Sequence, residues 1–248
     1  MAKPLRLYVL GCGDAFGSGG RNHSGYLVEA SDRVFLLDCG PTTLLAMKRA
    51  GIDPRRLDVV FLSHLHGDHF AGLPFLFIEY LYQRPRPTPL EVAGPPGTEA
   101  RVRQLFDLMY GSGMSGKSFP PTRFHVLRPG KNKVIQGISV FSFRVPHQEQ
   151  EISLALKVSY GGKHILFSGD SAWSELFVTH ACGADLFLCE CSFYDRQTST
   201  HMSYRNLYTN LTRLNCKQIV LTHLGEEVLA QRRKIDVTLA EDGMVIEI

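Results

Sequence analysis

The stretch Ser63-His64-Leu65-His66-Gly67-Asp68-His69-Phe70 places three histidines and one aspartate within six consecutive positions. Side chains two residues apart on extended backbone point the same way, so His64 and His66 are expected to share one face. Asp68 and His69 lie beyond the turn and can face the same space from the other side. Four such side chains on one loop can serve two metal ions about 3.5–4 Å apart. Imidazole and carboxylate suit zinc, and also manganese or iron.

The residues around this stretch predict a strand, a tight loop and a helix. The apolar run 57–62 indicates a buried strand, and the apolar and aromatic run 73–82 indicates a core helix. The alternative is a solvated polar turn that contains histidines by chance. Further chemistry-bearing residues at later strand ends argue against that alternative.

Two of those later residues follow predicted strands directly. Asp170 comes after a small residue at the end of the strand 164–167, where it could reach the metals as a bridging carboxylate. The alternative for Asp170 is an N-cap of a helix over 172–180. His223 follows the last long predicted strand, 218–222.

The order of elements predicts the fold. Several strands followed by helices occur twice along the chain, although no strict sequence repeat is present. This order favours an α+β protein, a four-layer αββα sandwich of two mixed β-sheets with helices on both outer faces. Residues 1–248 are expected to form a single domain, with the strand ends of both sheets meeting at one cleft.

Composition excludes several classes of protein. The net charge of the 248 residues is only +3, so bulk electrostatics do not favour a nucleic-acid partner. No apolar run reaches the roughly 18 residues of a membrane span, and no signal peptide is expected. Six cysteines are too sparse for a disulfide framework, and together these features predict a cytoplasmic protein.

Three other parts of the chain allow more than one interpretation. The glycine-rich segment Gly11–Gly20 is predicted to border the active site, although a phosphate cradle is an alternative. His23 could be a wall residue or a ligand. The segment Gly111–Ser118 could be a lid or a contact in a homodimer. Residues 225–248 predict one helix and a short terminal hairpin.

The chain resembles the metallo-β-lactamase superfamily, and within it the ribonuclease Z-like phosphodiesterases. The resemblance covers nearly the whole chain. Three stretches carry it: Leu37–Gly40, the His64–Pro74 pattern HLHGDH-x-x-GLP, and Glu190–Phe193 followed by His201-Met202-Ser203. At Asp38 the resemblance implies a buried acid that orients metal ligands, whereas the residue alone could be a helix N-cap.

The resemblance also implies a ligand set for two metals. One metal would take His64, His66 and His147, the other Asp68, His69 and His223, and Asp170 would bridge them. His147, just after a strand and a proline, stands where the superfamily places a further ligand. The implied cofactors are two Zn²⁺ per chain, with Mn²⁺ or Fe as alternatives, and the implied nucleophile is a hydroxide that bridges them.

Three residues are predicted to be catalytic: Asp68, Glu190 and His201. By the resemblance, His201 would donate a proton to the leaving alkoxide and Glu190 would raise its basicity. From the residue alone, His201 could be an ordinary histidine at the start of a helix.

The substrate expected from the resemblance is a small or cyclic phosphodiester. The tRNA-processing enzymes of this branch carry a long arm that grips tRNA between the third histidine and the bridging aspartate. Here a single predicted hairpin separates His147 from Asp170, so tRNA 3′-end processing is disfavoured. A lactonase or thioesterase with the same metal centre is the alternative enzyme, and a non-catalytic metal-binding protein is the third interpretation.

Overall fold

The computed structural model describes residues 5–111 and 119–248, and two sheets of seven strands each form its centre. The strands are β1 (Arg6–Gly11), β2 (Gly25–Glu29), β3 (Val34–Leu37), β4 (Val59–Phe61), β5 (Leu90–Gly94), β6 (Thr122–Val126), β7 (Lys131–Ile135), β8 (Ile138–Arg144), β9 (Leu154–Tyr160), β10 (Lys163–Phe167), β11 (Leu186–Glu190), β12 (Ile219–Thr222), β13 (Thr238–Leu239) and β14 (Val245–Glu247). The helices are α1 (Thr43–Arg49), α2 (Gly67–Phe70), α3 (Leu73–Ile78), α4 (Thr98–Tyr110), α5 (Leu176–Ala181), α6 (Tyr204–Asn210) and α7 (Glu226–Ala230).

Both sheets are mixed, and each has antiparallel strand pairs in one half and parallel pairs in the other. The first sheet has the strand order β14-β1-β2-β3-β4-β5-β6, with antiparallel pairs from β14 to β3 and parallel pairs from β3 to β6. The second has the order β13-β12-β11-β10-β9-β8-β7, with parallel pairs from β13 to β10 and antiparallel pairs from β10 to β7.

Buried apolar side chains form three layers. One layer lies between the sheets and includes Phe35, Phe61 and Phe167. A second packs α1, α3 and α4 on the outer face of the first sheet, and a third packs α5, α6 and α7 on the outer face of the second. Strands buried on both faces read as continuous apolar runs, as in Val59–Phe61 and in residues 186–189 of β11. The predicted four-layer αββα sandwich is confirmed.

The C-terminal tail differs from its prediction. Its helix is present, but the two short strands do not form a hairpin: β13 pairs parallel to β12, whereas β14 pairs antiparallel to β1 in the other sheet. The turn residue Asp242 explains the difference, because its carboxylate accepts hydrogen bonds from the backbone N–H groups of Cys12 and Asn22. The tail therefore crosses from one sheet to the other.

Other predicted elements differ in their details. The predicted helix 73–82 begins as α3 and continues as a π-helical turn over Glu79–Gln83. Residues 112–118, which hold nearly all of the predicted lid or dimer-contact segment, lie outside the described residues. Among the described helices, none combines the length and the apolar character that crossing a membrane requires.

A buried hydrogen bond joins the two sheets directly. The Tyr26 hydroxyl on β2 lies 2.6 Å from the Thr222 hydroxyl at the end of β12, and the Tyr26 ring packs on Phe167 with centroids 5.3 Å apart. Burial raises the pKa of Tyr26, so it is a neutral phenol at physiological pH. This bond fixes the last residue of β12 against the first sheet.

We predict that Tyr26→Phe lowers the free energy of unfolding by about 1–3 kcal/mol, because the buried Thr222 hydroxyl loses its partner. Chemical denaturation followed by circular dichroism measures the change. Tyr208→Phe is the matched control, because Tyr208 is 56% exposed, and its effect should stay within about 0.5 kcal/mol. Equal effects of the two substitutions would show that the bond between the sheets adds nothing to stability.

Candidate metal centre

Asp38 holds the loop between β4 and α2 in place by hydrogen bonds. It lies just past the end of β3 in a left-handed conformation, with φ of 57°, and is fully buried. Its carboxylate accepts hydrogen bonds from the Ser63 N–H and the Ser63 hydroxyl, both at 2.8 Å, and from His69 Nδ1 at 2.6 Å. Helix α1 begins later, after Thr42, so Asp38 is the buried acid and not a helix N-cap.

Asp170 enters the same space from the second sheet. It follows Gly169, which has φ of 57° and lies so close to Ser63 that an added Cβ would come within 2.8 Å of the Ser63 Cβ. A side chain larger than hydrogen at position 169 would push the two sheets apart at this point. Asp170 is not a helix N-cap, because α5 begins at Leu176.

The first group of polar atoms gathers around one oxygen of Asp170. Asp170 Oδ2 lies 3.8 Å from His64 Nε2 and 3.8 Å from His147 Nε2, and His147 Nε2 lies 3.1 Å from His66 Nδ1. One ligand atom from each of these four residues lies within 4.8 Å of the others. His147 is held by its Nδ1, which donates to the Thr200 carbonyl at 2.8 Å.

The second group shares Asp170 with the first. His69 Nε2 lies 3.2 Å from Asp170 Oδ1 and 3.1 Å from Asp68 Oδ2. His223 Nε2 lies 3.3 Å from the same Asp68 oxygen and 3.4 Å from Asp170 Oδ2. His223 directly follows β12 and has φ of 52°, a left-handed conformation that is uncommon for a histidine. The structure thus brings all seven predicted ligands together in two groups that meet at Asp170.

The donor atoms of both groups fit a metal. His64 Nε2, His69 Nε2 and Asp170 Oδ1 are buried and make no hydrogen bond to any described residue. Buried polar atoms without a partner are costly unless something else satisfies them. Imidazole nitrogens and carboxylate oxygens that converge at these distances are the usual ligands of zinc and related cations. Each group is therefore able to hold a metal ion.

The pKa shifts of the histidines also indicate a site that can hold cations. Burial, together with the neighbouring His69, holds the pKa of His64 well below its ordinary value, so its imidazole is neutral. Burial alone would lower the pKa of His223, but the carboxylates of Asp170 and Asp68 raise it to about 9. The same carboxylates raise the pKa of His69 well above normal, against the effect of burial. The second group is thus a place where positive charge is stabilised.

His201 and Glu190 form a pair beside the second group. His201 Nδ1 lies 2.9 Å from Glu190 Oε1 and 4.0 Å from Asp170 Oδ2. Burial alone would lower the pKa of His201, but the hydrogen bond and charge of Glu190 raise it above the ordinary value. Helix α6 has Ser203 as its N-cap, so His201 is not an ordinary helix-start residue. His201 is the partly exposed member of the pair, whereas Glu190 is buried.

A cavity of about 580 Å³ opens onto His201 and His223. The glycine-rich segment forms one wall of it through residues 14–20, with the Phe16 side chain 91% exposed at the rim. The opposite wall includes Phe193, whose ring lies 4.6 Å from the Arg196 guanidinium. The segment therefore borders the cavity, as predicted, whereas Phe193 and Arg196 were not predicted to line it. His23 belongs to neither group of metal-facing residues.

Several known proteins are similar to this chain in sequence or in fold. The ribonuclease Z of Bradyrhizobium diazoefficiens is 26% identical over 287 aligned positions, covering 92% of this chain and 94% of that relative. The metallo-beta-lactamase fold protein YhfI from Bacillus subtilis superposes with a TM-score of 0.80 at 22% identity, covering 99% of both chains. The short form of human tRNase Z superposes with a TM-score of 0.76 at 25% identity, covering 97% of this chain and 98% of that chain.

These comparisons confirm the predicted metallo-β-lactamase fold and the ribonuclease Z-like branch. The predicted class of enzyme, a metal-dependent hydrolase, is confirmed with them. A more specific assignment comes from a family profile, described as Anti-Pycsar protein Apyc1, that matches residues 5–245. That match spans strands of both sheets and the entire metal-facing cluster. The chain therefore belongs to the Anti-Pycsar protein Apyc1 family.

Proposed function

We propose that this protein is a dinuclear metal-dependent phosphodiesterase that acts on a small or cyclic phosphodiester. The observation that carries the proposal is the pair of metal-facing groups that share Asp170, with a proton-donor pair directly beside them. A structural metal site closes with four ligands, whereas seven converging ligands and an adjacent acid exceed what structure alone requires.

The proposed metals are two Zn²⁺ ions, with Mn²⁺ or Fe as alternatives. His64, His66 and His147 would hold one ion, Asp68, His69 and His223 the other, and Asp170 would contact both. When bound, two such ions supply a water of lowered pKa and stabilise negative charge on a phosphoryl oxygen. Asp68 is also proposed to be catalytic, because its carboxylate faces the imidazoles of both His69 and His223.

His201 is proposed to be the general acid. Its Nδ1 faces Glu190, so the proton available for transfer is the one on Nε2 of the imidazolium. Glu190 stabilises that imidazolium and keeps the ring oriented, because its own position is fixed by the Ser171 N–H at 2.6 Å. A proton delivered to the departing alkoxide would leave His201 neutral and ready to be reprotonated by solvent at its exposed edge.

The size of the cavity and the connection between His147 and Asp170 support a small substrate. A volume of about 580 Å³ lies within the range for small-molecule sites. The chain between the two residues contains only β9, β10 and the turn at Gly161-Gly162, which leaves no room for a tRNA-gripping arm. The alignment with the Bradyrhizobium ribonuclease Z spans 287 positions, more than the 248 residues of this chain, so that relative carries segments that this chain lacks.

Three further proposals concern the domain organisation, the cellular compartment and the oligomeric state. We propose that residues 1–248 act as a single domain, because strands of both sheets contribute to one metal-facing cluster. We place the protein in the cytoplasm, since its buried cysteines are free thiols and a reducing compartment suits them. A homodimer contact through Gly111–Ser118 remains a proposal from the sequence.

We predict that His64→Ala lowers the bound zinc from two ions per chain toward one. It should also reduce hydrolysis of bis(p-nitrophenyl) phosphate by more than about 100-fold. Loss of a group that only orients a metal ligand costs up to about 100-fold, and loss of the ligand itself should cost more. Elemental analysis and steady-state kinetics measure the two effects. His164→Ala is the control. His164, near the start of β10, forms a hydrogen bond with Ser159, so its substitution should leave the metal content and the activity unchanged. Full activity in His64→Ala would show that the site is misassigned.

We predict that His201→Ala keeps both metals but lowers kcat by about 10²–10⁴-fold on diesters with a poor, alkoxide leaving group. A nitrophenolate leaves with little need of a proton, so the loss on that substrate should be much smaller. Glu190→Gln should show the same dependence more weakly. Equal losses on both substrates, or loss of metal, would rule out His201 as the general acid.

We predict that the protein does not cleave precursor tRNA site-specifically at physiological salt, given its net charge of +3 and the short His147–Asp170 connection. Incubation with a labelled precursor, beside the short form of human tRNase Z as positive control, tests this. Efficient cleavage at one position would refute the proposal of a small substrate. Turnover of lactones but not of any diester would instead favour the alternative enzyme class.

A further inference from the structure

Two buried carboxylates in this protein are bonded by the same three kinds of donor. Asp38 accepts from a backbone N–H, a serine hydroxyl and a histidine Nδ1, supplied by Ser63 and His69. Glu190 accepts from the Ser171 N–H, the Ser192 hydroxyl and His201 Nδ1. Asp38 belongs to the first sheet's side of the centre and Glu190 to the second sheet's side, so the arrangement occurs once on each.

The serine in each set also contacts a second histidine. Ser63 Oγ lies 2.8 Å from Asp38 Oδ2 and 3.0 Å from His64 Nδ1. Ser192 Oγ lies 2.7 Å from Glu190 Oε2 and 2.9 Å from His223 Nδ1. Both serines are buried, so these groups cannot exchange partners with solvent. Each serine therefore stands between a carboxylate and an imidazole that faces the metal centre.

The single hydrogen of a hydroxyl decides which group donates in each of these hydrogen bonds. A serine has one hydrogen to donate, and a carboxylate can only accept. At 2.7–2.8 Å from a carboxylate oxygen, that hydrogen must lie between the two oxygens. The serine oxygen can then only accept from the histidine, so Nδ1 carries a hydrogen. The His223 carbonyl, 3.2 Å from Ser192 Oγ, competes for the same hydrogen at a longer distance.

We propose that Ser63 and Ser192 are positioning residues, one for each metal. Ser63 would hold His64, and Ser192 would hold His223, with the hydrogen on Nδ1 and the Nε2 lone pair directed at the metal. This inference rests on the proposed metal centre. It goes beyond that proposal in assigning a separate support to each ion: Ser63 to the ion of His64, His66 and His147, and Ser192 to the ion of Asp68, His69 and His223.

Ser192 has a second consequence, because it shares Glu190 with His201. One oxygen of Glu190 holds the proposed proton donor, and the other, through Ser192, holds a histidine of the second group. Removal of the Ser192 hydroxyl should therefore affect the second metal and, more weakly, the dependence of kcat on the leaving group. Removal of the Ser63 hydroxyl should affect mainly the first metal and, because Asp38 also bonds His69, more weakly the second.

Cadmium affinity at each site, measured by ¹¹³Cd²⁺ NMR with a competing chelator, tests the proposal. His147→Ala identifies the resonance of the first site and His223→Ala that of the second. We expect Ser63→Ala to weaken the first site about 10–100-fold and Ser192→Ala to weaken the second by a similar factor, the usual range for removal of a group that orients a ligand. Ser192→Thr keeps a hydroxyl and should restore the second site.

Ser142→Ala is the matched control. Ser142 is equally buried and donates to the Arg128 carbonyl, away from both groups, so both affinities should stay unchanged. Nitrogen-15 spectra of the loaded protein add a second readout: the Nδ1–H signal of His64 or His223 should exchange faster in the corresponding alanine variant. Unchanged affinities in both alanine variants, or equal weakening of both sites by each, would overturn the proposal. Failure of the wild-type protein to bind two ions would instead overturn the proposed function.

Discussion

The carboxylate of Asp170 is the contact on which the whole centre depends. It is buried, and its two oxygens together lie within 4 Å of imidazoles from both sheets. A carboxylate in that position has lost its hydration and needs positive charge around it. His223 and His69 provide it, and they hold the pKa of Asp170 well below normal although burial alone would raise it. The sandwich brings these groups together because strands of both sheets end at one edge.

The surrounding fold keeps these groups from separating. Asp38 and Glu190 are buried supports that hold His69 and His201 directly, and His64 and His223 through serines. Two residues of the centre, Asp38 and His223, have positive φ, which costs free energy for residues other than glycine. Such conformations persist where the surrounding contacts over-determine them. The Tyr26–Thr222 bond and the close packing at Gly169 supply contacts of that kind between the sheets.

The sequence was sufficient to predict the four-layer fold, because the order of strands and helices is a local pattern. The residues that converge were predicted from the dense histidine motif together with the resemblance to the metallo-β-lactamase superfamily, which implied His147. It could not predict which sheet each short C-terminal strand joins, since that choice depends on Asp242 bonding backbone far away in sequence. Ser63 and Ser192 were also missed, because nothing in a serine's immediate neighbours shows that its oxygen will lie between a carboxylate and a histidine. The glycine-rich segment was placed correctly, because its glycines permit close approach to the cavity.

In the proposed centre, two cations share the carboxylate of Asp170. Anomalous diffraction from crystals grown with zinc, recorded on both sides of the zinc absorption edge, would locate these cations. We expect two peaks about 3.5–4 Å apart, one beside His64, His66 and His147 and one beside Asp68, His69 and His223, with Asp170 between them. A single peak at full occupancy, or two peaks of which Asp170 touches only one, would contradict this proposal.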